Sequence, residues 1–326
     1  MVRIPKFQKY ICVQNTLSPK SNTMQTLKIA LDWTPNINHI GLFVAKEIGL
    51  YTKQGIQLEL LNPIDDQYQV TPGKKLELDQ ADFSIAPFET VISLNNKANH
   101  VDAVAIYALL QQDLSCVVSL GNSSLRAMKD LDGRIYASYK ARYEDHIIQE
   151  MVKNDGGTGK IQLSYPEKLG IWNTLLIGKA DATWIFDNWE GVEAAAKNIS
   201  LNKFYLKDYD IPYGYSPVIF TKKEKMNQQL DVNTRFIKAT QLGYKFAVEN
   251  PEKSVSLLYP YLTPHDQQEV DLNLALKLSS PHFSDNEKYG YMKPERVRAF
   301  LEWLVEKNLE KPAILEQKLF TNALVG

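Results

Sequence analysis

The sequence predicts an α/β protein of two similar lobes that share a ligand crevice and carry a helical C-terminal region. Three observations point there. From residue 27 to about residue 221, strand-like and helix-like segments take turns, the pattern of sheets layered with helices. At 326 residues the chain exceeds what one compact core usually supports. Two stretches, "QADFSIAPFE" at 80–89 and "KADATWIFDNWE" at 179–190, share one order: a helix end, Ala-Asp, a short apolar strand, and a loop closing on Glu ahead of another helix. Such an echo aims equivalent loops from the C-terminal ends of two sheets at one crevice, where open α/β sheets bind ligands.

In chain order, "LKIALDW" alternates Leu27, Ile29, Leu31 and Trp33 on one face and reads as a strand. Asn38 then serves as N-cap for "HIGLFVAKEIGL", in which Ile40, Phe43, Val44 and Ile48 recur at helical spacing. Further strands follow as "IQLELL", "DFSIA", "AVAIYALL", "CVVSL", "RIYASY", "IQLSY", "DATWIF", "KFYL" and "PVIFT", most of them separated by helical text. "GGTG" at 156–159 follows a helix and precedes a strand, the wrong order for a phosphate cradle, and reads as a C-cap and turn. From about Glu224 the chain is helical: "VNTRFIKATQLGYKFAVEN", "EKSVSLLYPYL", "PHDQQEVDLNLALKLSS" and "KPERVRAFLEWLVEKN".

Composition narrows the function. Lys+Arg 37 against Asp+Glu 38 gives a net charge of -1, so no global field gathers nucleic acid or anionic membrane. Cys12 and Cys116 belong to no CxxC pair or metal-ligand spacing. The first 26 residues are basic but lack an export signal's apolar core, and no run is long enough to span a membrane; they predict a flexible extension on a cytoplasmic protein. GxSxG, Walker and HExxH motifs are absent, and the five histidines are scattered.

What remains is a set of loops rich in flat rings and edge-reading polar groups. "WTPNINHIG" at 33–41 leaves the first strand with Trp33 to stack on a planar ligand and Asn36, Asn38 and His39 to bond its rim. Glu89, in "PFE", is an acceptor for an amino group or a protonated ring nitrogen, or else a first-turn acid complementing a helix dipole. "WIFDNWEG" gathers Trp184, Asp187, Asn188, Trp189 and Glu190 in one turn, and "DIPYGYSP" supplies Tyr213 and Tyr215 at a rigid bend. "ASYKARYED" sets Lys140 and Arg142 between a strand and a helix N-terminus, which suits a phosphate or carboxylate. The expected partner is therefore a small planar heteroaromatic ligand, with no nucleic acid and no membrane span.

These same segments, together with "ALDWTPNINHIGLFVAKEIGLYTKQGI", "ADFSIAPFETVIS" and "LGIWNTLLIGKADATWIFDNWEGVEAA", resemble the superfamily that joins fungal thiamine-pyrimidine synthases to bacterial binding proteins for thiamine-pyrimidine precursors. The resemblance is collinear over about residues 27–221. It implies a type II periplasmic-binding-protein fold, with lobe one at 27–113 plus 217–326, lobe two at 114–216, and residues 1–26 as extension. It also implies ring and rim contacts from Trp33, Glu89, Asp187, Trp189 and Glu190, and phosphate contacts from Lys140 and Arg142. Synthase members use pyridoxal phosphate as substrate, with a histidine of their own and with iron. Here the positions of their Schiff-base Lys and donor His are Ala86 and Thr90, and "PYGYSP" replaces their cysteine-rich stretch. His39 is then the one histidine placed in the crevice as a catalytic donor.

Two functions follow from the resemblance. The first is a cytosolic synthase-like transferase forming the thiamine pyrimidine from pyridoxal phosphate and histidine, favoured by the missing export core and compatible with a homodimer. The alternative is a non-enzymatic solute-binding protein of an ABC transporter for a thiamine-pyrimidine precursor, favoured by the missing Lys and His.

Overall fold

The computed structural model describes residues 24–326. All but the last three residues of the predicted N-terminal extension lie outside the described residues, and the first strand already begins at Gln25. Apart from a short hairpin that pairs Ser284–Asp285 with Lys288–Tyr289, the strands are β1 (Gln25–Ala30), β2 (Ile56–Leu61), β3 (Phe83–Ala86), β4 (Ala103–Ala108), β5 (Ser115–Leu120), β6 (Ile135–Ala137), β7 (Gln162–Ser164), β8 (Ala182–Phe186), β9 (Leu201–Phe204) and β10 (Val218–Lys222). They form two five-stranded sheets, ordered β2-β1-β3-β10-β4 and β7-β6-β8-β5-β9. The chain crosses from the first sheet to the second after β4 and returns after β9.

Each sheet repeats one plan. In the first, β1 runs parallel to β2 and β3, and β10 enters antiparallel between β3 and β4. In the second, β6 runs parallel to β7 and β8, and β5 enters antiparallel between β8 and β9. The Ala-Asp echo holds these plans in place. Asp82 Oδ2 accepts the Lys28 N–H at 2.9 Å, and Asp181 Oδ2 accepts the Ile135 N–H at 2.9 Å, so each carboxylate pins β3 or β8 to the parallel strand beside it.

The C-terminal helices close over the first sheet. Helix Leu230–Glu249 lies against helix Ile40–Glu47 because both carry glycine at the crossing. A Cβ at Gly243 would run into the Gly41 carbonyl, and one at Gly41 into the Tyr244 ring. Tyr244, fully buried, reaches between them to donate to the Asn38 carbonyl at 2.6 Å. The stretch predicted as one helix over "PHDQQEVDLNLALKLSS" is two, Pro264–Glu269 and Leu272–Ser279. Val270 is extended between them, and Asp271 caps the second by accepting the Leu274 N–H. The last residues return to cover the β4 edge, where Ala105 exchanges backbone bonds with Leu319 and Thr321.

Candidate functional site

Between the sheets lies a cavity of about 500 Å³, within the range of small-molecule sites. The loops leaving β1, β3, β6 and β8 contribute to its wall, together with the segment from Tyr68 to Glu77. Its rings come from both sides: Trp33 and Tyr68 on the first lobe; Tyr139, Trp184 and Trp189 on the second; and Tyr213 from the return crossing. Trp33 meets Tyr68 and Tyr139 at 5.9 Å each, so aromatic edges touch across the mouth.

The opening loop folds by satisfying its own backbone. Asn36 caps the turn Ile37–His39: its Oδ1 accepts the Asn38 N–H at 2.9 Å, and its N–H donates to His39 Nδ1 at 3.3 Å. The cap is therefore Asn36, where the sequence pointed to Asn38. Asn38 is freed to line the cavity and to accept from Asn188 Nδ2 at 2.7 Å, a buried bond from the second lobe that Asn188 also makes to Ser279 Oγ at 2.8 Å.

His39 is absent from the cavity wall. It is fully buried beneath the loop, with Nε2 2.7 Å from Asp32 Oδ1 and Nδ1 on the Asn36 N–H, so both ring nitrogens serve the turn. This corrects its expected placement in the crevice. Asp187 points away from the cavity too, accepting from Tyr205 at 2.7 Å and pairing with Lys203. Tyr215 is buried behind the wall: its hydroxyl accepts the Lys293 N–H and its ring lies 4.2 Å from the Arg296 guanidinium. Trp33, Asn38, Glu89, Arg142, Trp189, Glu190 and Tyr213 do reach the cavity.

The expected phosphate site is taken by the protein's own carboxylate. Glu144, in the first turn of helix Glu144–Asn154, folds back to accept the Tyr139 and Ala141 N–H groups at 3.1 Å each and the Tyr136 hydroxyl at 2.8 Å. These are the donors an anion would use at such a turn. Lys140 is exposed and lies over the Tyr165 ring, while Arg142 pairs with Glu310 near the C-terminus, whose Oε1 also accepts from Tyr143. The residues present therefore do not fit the phosphate of pyridoxal phosphate at this loop. Ala86 and Thr90, where the resemblance puts the synthases' Schiff-base lysine and donor histidine, both line the cavity, and neither side chain carries a nitrogen nucleophile. Among the described residues, no group of three or more His, Cys, Asp or Glu stands where it would hold a metal ion.

Two buried acids dominate the electrostatics. Glu89 is pushed up to about 8 by burial, with the charge of Glu144 adding to the effect and Arg142 opposing it, and its Oε2 has no hydrogen-bond partner. Burial likewise raises Glu190 to about 7, although its Oε2 accepts the Phe186 N–H at 3.0 Å. Near neutral pH Glu89 is thus mostly the neutral acid. A carboxyl in that state donates one hydrogen bond and accepts another, the complement of a ring nitrogen beside an amino group. Tyr68, Tyr139, Glu144 and Lys168 were not singled out in the sequence. Tyr68 lies in a loop and Lys168 opens a short turn, neither with a periodic signal, and Glu144 stands in the first turn of a helix, where an acid has an ordinary local role.

The fold and site define a two-lobed α/β protein with an aromatic-lined cavity between its lobes. The model of the NMT1/THI5-like family matches residues 36–254, and the chain belongs to that family. It is 24% identical over 317 residues to a formylaminopyrimidine-binding protein of Halalkalibacterium halodurans, covering 94% of this chain and 92% of that one. It is also 24% identical over 243 residues to the 4-amino-5-hydroxymethyl-2-methylpyrimidine phosphate synthase of Legionella pneumophila, covering 73% and 74%. In fold it resembles the periplasmic nitrate-binding protein NrtA from Synechocystis PCC 6803, with a TM-score of 0.68, 11% identity, and 92% and 87% of the two chains covered. The periplasmic-binding-protein architecture expected from the sequence is the one observed.

Proposed function

We propose that this chain is a solute-binding protein for an unphosphorylated aminopyrimidine of the thiamine type, which it clamps between its lobes without converting it. The observation that carries this reading is Glu89: a buried acid with a free oxygen in an aromatic-lined cavity whose nearby anion site is already filled by Glu144. Stacking holds the faces of the ring, and the Glu89 carboxyl meets the amino group and the adjacent ring nitrogen. The closing bonds are already in place between the lobes, in Asn188 to Asn38 and Arg142 to Glu310. The long alignment with a formylaminopyrimidine-binding protein supports the reading. So does the absence of a nucleophilic nitrogen at Ala86 and Thr90, where the synthase reading needs Lys and His.

The reading exchanges the cytoplasmic expectation for the solute-facing side of a membrane, which fractionation of cells expressing the full gene tests. The functional test is calorimetric titration of the purified chain with 4-amino-5-hydroxymethyl-2-methylpyrimidine and, separately, with pyridoxal phosphate. Binding of the first and not the second is expected. Tighter binding of pyridoxal phosphate, with release of a pyrimidine product, would return the chain to the synthase reading.

A further inference from the structure

The cavity wall contains four cations, and three of them have partners. Lys74 and Lys97 both pair with Glu77, and Arg142 pairs with Glu310. The Lys168 ammonium makes no ion pair and no hydrogen bond among the described residues; only its backbone carbonyl is engaged, by the Ile171 N–H. It opens the short turn Lys168–Gly170 after β7, on the second lobe, and its Nζ lies 5.1 Å from the centre of the Tyr68 ring on the first. Half-buried there, the ammonium has shed part of its hydration and gained only a ring face in return. Partial burial lowers its pKa and the charge of Glu144 opposes the shift, so the site favours a partner that supplies electron density.

An ammonium with unsatisfied N–H groups calls for an acceptor oxygen. The same cavity holds an acid with a free oxygen at Glu89, which calls for an amino group. We propose that Lys168 is the specificity-determining residue of the cavity: it selects aminopyrimidines whose side arm carries a carbonyl or carboxylate oxygen and rejects those whose arm ends in an ammonium. Because the lysine comes from one lobe and rests on a ring of the other, an oxygen placed between them also ties the lobes together. This inference rests on the proposed binding role and adds to it the chemistry of the ligand's second end.

A matched pair of probes tests it: 4-amino-5-aminomethyl-2-methylpyrimidine, whose arm is an ammonium at neutral pH, and its N-formyl derivative, whose arm is a neutral amide with a carbonyl. Titrations of the native chain should favour the formyl compound. Lys168→Met should weaken that compound by about ten- to a hundredfold, the scale of a hydrogen bond to a charged group. The same variant should leave the ammonium compound unchanged or tighten it, since a like charge has gone. Lys168→Arg should keep the native preference, which separates the charge from any effect on folding. If Lys168→Met shifts both probes equally or neither, the lysine does not set specificity while the cavity remains the site. If the native chain binds neither probe, the binding role itself fails and this inference with it.

Discussion

The loops that follow β3 and β8 occupy equivalent places in the two lobes, yet they end in acids of different character. Both strands are third in their sheets, both are preceded by an aspartate pinned to the neighbouring strand, and both lead through a buried aromatic, Phe88 or Trp189, to a buried glutamate. In the first lobe a single residue, Pro87, separates strand from helix. Proline has no N–H, and the Phe88 N–H is already given to the Tyr215 carbonyl, so the loop has no donor left for Glu89. In the second lobe three residues, Asp187, Asn188 and Trp189, make the turn, and Glu190 can fold back onto the Phe186 N–H. Loop length thus converts one scaffold into a satisfied acid on one side and an unsatisfied one on the other. The unsatisfied acid is where a ligand gains most.

The largest effects expected are on stability. Trp189 packs with Val192 among the apolar residues of the first lobe, whereas Phe88 lies in the cluster that also contains residues of the second sheet. Replacing either by Ala should cost about 3–5 kcal/mol in denaturant unfolding. Only Trp189→Ala should also weaken ligand binding in the fraction that folds, since Trp189 alone of the two lines the cavity.

Next come the acids. Glu89→Ala should lower aminopyrimidine affinity by about ten- to a hundredfold, because the ligand's amino group is left buried without an acceptor. Glu190→Ala should lower it only a few-fold, and equal losses would erase the distinction between the loops. Glu89→Gln sharpens the point, since an amide presents the same donor and acceptor as the neutral acid. It should bind well and remove the loss of affinity that the native chain shows above pH about 8, where Glu89 gives up its proton.

The scaffold aspartates should behave alike. Asp82→Ala and Asp181→Ala each remove one carboxylate acceptor from a strand N–H and should each cost about 1 kcal/mol by thermal or chemical unfolding. The same acid sets an expectation for the pH dependence of melting. Glu89 has a folded pKa raised from 4.5 to about 8, so the folded chain binds the proton more tightly than the unfolded one. Its contribution is fully present below pH about 4.5 and is lost as pH rises toward 8. Melting of the unliganded chain should therefore fall across that window, and the fall should be shallower in Glu89→Gln.

Much of this is legible in the sequence. All ten strands of the two large sheets carry their alternation or apolar runs in the sequence, and the Ala-Asp echo marks a structural repeat because the same side chain performs the same task twice. The site was legible where aromatic and acidic residues follow strands, as at Trp33, Glu89, Trp189 and Glu190. It was misleading at His39 and Asp187, which share those loops but spend their polar atoms on the protein. Adjacency in sequence does not say which way a side chain leaves a turn. The basic loop misled for a different reason: whether its N–H groups are free depends on Glu144 folding back, and a carboxylate in a helix's first turn looks the same either way.

The role of Glu89 as the ligand's anchor is best tested by a crystal structure of the chain with 4-amino-5-hydroxymethyl-2-methylpyrimidine. The ring is expected between the two lobes, with its amino group and neighbouring nitrogen within hydrogen-bond distance of the Glu89 carboxyl. A ring seated elsewhere, or one bound in the cleft with Glu89 Oε2 still unpartnered, would contradict it.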